Sequence, residues 1–96
     1  MIHELKTLPE YFNAVRSGEK KFELRKDDRN FHVDDFLALN EWDGEKYTGR
    51  TELVQITYKI NPNDIMNCQG GFCILSIYPV DRYTFDSSRR SEVEQN

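Results

Sequence analysis

The hydrophobic period of the chain changes twice within its first 26 residues. Ile2-His3-Glu4-Leu5-Lys6 alternates apolar and polar positions, the pattern of a short strand. Leu8, Phe12 and Val15, with Tyr11 beside them, then fall at helical spacing and predict a helix over 8–17. Thr7 and Glu10 have capping-box spacing, Pro9 suits the first turn, and Gly18 can close the helix with a positive φ. After Gly18 the period returns to two. A plain strand here places Lys20, Phe22, Leu24 and Lys26 on one face and Lys21, Glu23 and Arg25 on the other. It is expected to bury Phe22 and Leu24 and expose the charged trio.

Asp27 to Asn30 reads as a turn, and Phe36 to Trp42 as the next strand. Asp43-Gly44 signals a hairpin with a loop reaching Gly49, and the returning strand spans Thr51 to Tyr58. Leu53 alternates poorly with Val54 and Ile56, which suggests a bulge near Leu53. A polar loop over Asn61 to Gly71 leads into the apolar run Phe72 to Tyr78, stopped by Pro79, which reads as a central, buried strand. The pattern predicts an α+β, mainly β fold: a small curled sheet or barrel of about five strands, with one early helix packed at an end. Residues 1–85 form one domain on this reading, and 86–96, almost without apolar residues, a disordered polar tail.

Composition narrows the class. With 96 residues, 38% of them hydrophobic, there is material for one core but not two. The net charge of −4 argues weakly against a phosphate partner, yet the segment from Arg16 to Arg29 is locally positive, with Lys20, Lys21, Arg25 and Lys26 between them. Cys68 and Cys73 match neither a zinc set nor a disulfide framework. Cys73 reads as a core residue and Cys68 as exposed, a usage that suits a reducing cytoplasm. No signal peptide or membrane span is expected, nor any metal or cofactor; Asp28 has no second ligand at metal-like spacing and reads as fixing its turn.

The candidate chemistry lies in the positive segment. Lys20 is either a phosphate contact or general base, or a solvated lysine beyond a helix C-terminus. Glu23 either orients Lys20 and Arg25 and reads a base edge, or makes a structural ion pair with Arg25. Arg25 and Arg29 offer planar forks suited to phosphate, Arg29 from a turn, and Lys6 extends the basic rim. Trp42 and Tyr47 flank a loop and could stack on a base, Trp42 alternatively capping the core. His3 is an acid–base candidate or a satisfied edge residue.

Gly18-x-Lys20-x-x-Glu23-x-Arg25 resembles the G-x-K-x-x-E-x-R signature of ASCH domains, a superfamily related to the PUA fold. Flanking blocks extend the likeness to roughly residues 1–80, among them Pro9-Glu10-Tyr11-Phe12, Glu41-Trp42 and Tyr47-Thr48-Gly49-Arg50, as in a bacterial and phage ASCH-like family. The resemblance implies a PUA-like β-barrel with a cleft beside the first helix, where RNA or a modified nucleoside binds. Some such domains are hydrolases, including an amidohydrolase of acetylated cytidine, but that enzyme has Thr at the position of Glu23, and a carboxylate cannot replace an alkoxide nucleophile. Asp34 is a second departure, standing where related sequences usually carry Gly. The expectation is therefore an RNA- or nucleotide-binding module, monomeric and cytoplasmic. The alternatives are a hydrolase acting through Lys20 and Glu23, and a module that binds a protein partner.

Overall fold

The structure, a computed structural model, describes residues 1–67 and 70–80. The expected tail, the domain boundary at 85 and Cys68 lie outside those residues. The elements are β1 (Ile2–Thr7), α1 (Pro9–Ser17), β2 (Phe22–Lys26), β3 (Phe36–Trp42), β4 (Tyr47–Ile60), a single 3₁₀ turn at Pro62–Asp64, and β5 (Phe72–Pro79). They build one curled five-stranded sheet in the order β1-β3-β4-β5-β2, in which β1 runs parallel to β3 and every other pair is antiparallel. The mainly β fold with one helix is as the pattern predicts.

The concave face carries the core. Leu5, Leu37, Leu39, Val54, Ile56, Cys73 and Leu75 are buried there with Phe31 from the β2–β3 connection and Val15 from α1. β5 is an interior strand between β4 and the edge strand β2, and its burial alternates, so it is buried on one face only and is not the fully buried central strand expected. The helix packs on β3 and β4. Its Phe12 is fully buried, with the Arg50 guanidinium 4.8 Å from the ring centroid.

Several local expectations are corrected. The helix begins at Pro9 with Leu8 as its N-cap and no side-chain cap; Thr7 instead accepts a hydrogen bond from Arg25, so the capping box is not made. β4 starts at Tyr47, because Asp43 alone closes a tight turn by accepting the Glu45 and Lys46 N–H groups. The ladder shifts register at Asn40/Trp42 and Ile56/Tyr58, not at Leu53. The poor alternation at Leu53 has another cause: Glu52 takes the inward position, 5% exposed, and Leu53 the outward one. The turn after β2 is held by Asp27 rather than Asp28, since Asp27 accepts from Lys59 and Asn61. Asp34 sits at φ 81, in the left-handed region that favours glycine. His3 is the satisfied edge residue: it is buried, bonded to Asp35 at 2.8 Å and edge-on to Phe31.

Glu41 is the polar tie between the β3–β4 hairpin and the helix. It accepts Arg50 Nε at 2.8 Å, Arg50 Nη2 at 2.9 Å and the Thr48 hydroxyl at 2.7 Å, while Arg50 Nη2 also donates to Asn13 on α1. The guanidinium and then the hydroxyl pull its carboxyl from the ordinary 4.5 down to about 2. Because the folded value is depressed, the stabilisation is present above pH 4.5 and fades as pH falls towards 2. Wild type is therefore expected to be more stable than Glu41→Gln at pH 7 and to lose that advantage across this window. Urea unfolding of both proteins at several pH values checks it; a pH-independent difference contradicts it.

Candidate functional site

β1 and β2 are the two edges of the curled sheet, and no backbone ladder joins them among the described residues. Side chains bridge the seam instead. Arg25 Nη2 donates to the Thr7 hydroxyl at 3.1 Å, and Arg29 Nη1 to the Glu4 carbonyl at 2.8 Å. Between these edges and the start of α1 lies a cleft of about 450 Å³. Lys6 and Thr7 line it from β1, Leu8 and Tyr11 from the helix entry, and Lys20 with residues 22–25 from the other side.

The floor of the cleft is an ion triad. Glu23, only 2% exposed, accepts from Lys20 Nζ at 2.8 Å through one oxygen and from Arg25 Nε at 3.0 Å through the other. Lys20 also donates to the Phe22 carbonyl at 2.7 Å. Its ammonium stands 4.9 Å from the Phe22 ring centroid and 5.8 Å from that of Tyr11, within cation–π range of both.

The backbone explains why this triad forms. Gly18 at φ 87 ends the helix in the left-handed conformation, and the Lys20 N–H returns to the Ala14 carbonyl. Strand geometry starts only at Phe22, so Lys20 is released from the alternation and reaches back towards Glu23. The strand face is the reverse of the one expected. Glu23 and Arg25 pair across from Leu75 and Cys73, on the side facing the core. Phe22 and Leu24 stay half-exposed. The inversion holds because the carboxylate enters with two cations, which offset the large cost of burying a lone charge.

The other candidates divide. Lys6 is in the cleft, and its ammonium lies 4.2 Å from the Trp42 ring centroid. Trp42 is half-buried and packs edge-on against the exposed Tyr47 at 4.9 Å, so it belongs to a surface aromatic pair and not to the buried core. Arg29 is exposed at the seam, outside the cleft lining. Sequence reasoning missed Thr7, Leu8, Tyr11, Phe22 and Leu24 as cleft residues. Tyr11 carried a usable signal, since it is an aromatic residue next to Phe12, a position that the core claims.

A family model described as a domain of unknown function, DUF3850, matches residues 2–77. The chain belongs to the DUF3850 family. The matched span holds the whole cleft and all five strands up to Ile77. A protein of Escherichia phage P2, described as an uncharacterized 12.9 kDa protein in the GpA 3′ region, is 45% identical over 56 residues. Those residues are 58% of this DUF3850 chain and 51% of the phage protein, so the chain spans about half the length of the curated relative it matches. Among the described residues, no helix of the DUF3850 domain is long and apolar enough to cross a membrane, and no group of three His, Cys, Asp or Glu side chains is placed to hold a metal ion.

Proposed function

We propose that the domain binds a nucleotide or single-stranded RNA in the seam cleft, as a PUA-like, ASCH-type module would. The observation that carries this reading is the composition of the cleft: a cationic floor set between exposed aromatic walls. Lys20 has three ammonium donors and spends two within the protein, and Arg25 spends two of its five. The remaining donors suit phosphate or carbonyl oxygens. Tyr11, Phe22, Leu8 and Leu24 supply flat and apolar surface for a base, and 450 Å³ lies within the usual range for a small-ligand pocket. Glu23 does not repel the anion, because one carboxylate shared by two cations leaves the triad with a net positive charge.

Stacking on an aromatic contributes about 1–3 kcal/mol per base in single-strand binders. Tyr11→Ala and Phe22→Ala are each expected to weaken binding of a short RNA by roughly tenfold. Tightness should also fall with added salt. Fluorescence anisotropy of a labelled RNA against each variant checks this; unchanged affinity in both variants contradicts the reading.

The hydrolase alternative uses the same cleft, and it is favoured by one contact, the 2.8 Å Lys20–Glu23 pair that acid–base transfer needs. Turnover of an RNA pool or of acylated nucleosides that disappears in Lys20→Ala would convert the binding site into an active site.

A further inference from the structure

Lys6 belongs to two places at once. It lines the seam cleft, and its ammonium lies over Trp42, which meets Tyr47 edge-on. Tyr47 also lines a second cleft of about 330 Å³, together with Glu4, Asn40, Arg50 and Thr51 among others. Tyr47 is 54% exposed, so one ring that is fixed by Trp42 remains open to a ligand. We infer that the ligand is a single-stranded oligonucleotide that spans both clefts, one base in the seam, the next against Tyr47, and the phosphate between them on Lys6. This rests on the nucleotide reading of the seam cleft and extends it.

Charge decides which part of a nucleotide each place takes. The second cleft holds the Glu4 carboxylate and the Arg50 guanidinium, whose Nε and Nη2 are already given to Glu41 and Asn13, so its opposite charges offset each other and leave no net pull on phosphate there. Lys6 lines the seam cleft and reaches over Trp42, the ring that holds Tyr47, and no acidic group pairs with it among the described residues. The second cleft also holds an oriented amide. Asn40 donates to Glu4 at 3.1 Å and accepts from the Thr51 hydroxyl at 2.6 Å, and it keeps one N–H and one lone pair for a ligand. A donor and an acceptor side by side match the edge of a base, as Asn does when it reads adenine. A free mononucleotide fills only the seam cleft and leaves the aromatic pair unused.

The test compares uridine monophosphate, the dinucleotide UpU, hexauridylate and hexathymidylate on wild type, Tyr47→Ala, Lys6→Ala and Tyr11→Ala. The dinucleotide and hexamers are expected to bind roughly tenfold more tightly than the monophosphate, one added stacked base. Tyr47→Ala should remove that gain and cost the monophosphate less than about twofold. Lys6→Ala should lower the salt slope for hexamers by about one. Equal RNA and DNA affinities support stacking and phosphate contacts alone, and tighter RNA adds a 2′-hydroxyl contact to them. Monophosphate binding that depends on Tyr11 but shows no gain with length overturns this extension alone. No binding of any of the four ligands overturns the seam-cleft reading as well.

Discussion

Replacing Glu23 with Ala is expected to destabilise the domain by about 3–5 kcal/mol, the cost of removing one partner from a buried ion pair. Lys20 and Arg25 keep side-chain exposures of 16% and 24%, so each would hold its charge in a half-buried place with its counter-ion gone. For a domain of this size that is a fall in Tm of roughly 12 °C or more. The loss belongs to the unpaired cations and not to a missing carboxylate as such. Replacing Lys20, Glu23 and Arg25 together by Met, Leu and Met should therefore recover most of the stability while binding stays lost. Thermal unfolding of the two variants measures this; a Glu23→Ala protein within about 0.5 kcal/mol of wild type would show that the triad is not a buried cluster.

Phe12→Ala is expected to cost about 3–5 kcal/mol, because a fully buried ring leaves a cavity that one short helix cannot close. That is a large share of the total for a single small domain in a chain of 96 residues. The neighbouring Tyr11, 48% exposed, gives the contrast. Tyr11→Ala should shift stability by no more than about 0.5 kcal/mol and act on binding instead. Chemical denaturation of the two proteins separates anchor from cleft wall; equal losses would place both rings in the core.

The helix and the five strands were legible because their apolar periods are clean where one face packs. Phe12 and Val15 mark the buried face of the helix, while Leu8, the N-cap, turns out half exposed at the cleft, and Cys73, Leu75 and Ile77 mark the inner face of β5. β2 was misread because period alone assigns the apolar residues inward, whereas here Glu23 enters with its own counter-charges. That outcome depends on Lys20 folding back from outside the strand, which a period cannot express. The G-x-K-x-x-E-x-R spacing did group Lys20, Glu23 and Arg25. The walls of the cleft were not legible, since Tyr11 and Thr7 approach Phe22 and Leu24 only through the curl that brings β1 and β2, adjacent to α1 in the chain but opposite in the sheet, to the same seam.

The most direct test of the central claim is a titration of the ¹⁵N-labelled protein with a short single-stranded RNA, followed by amide chemical shifts. Shifts concentrated on residues 6–11 and 20–25 are the expected result, with the Lys20 and Arg25 side-chain signals moving as the RNA binds. Shifts that spare both segments, or no shifts at millimolar RNA, would contradict the assignment of the seam as the binding site.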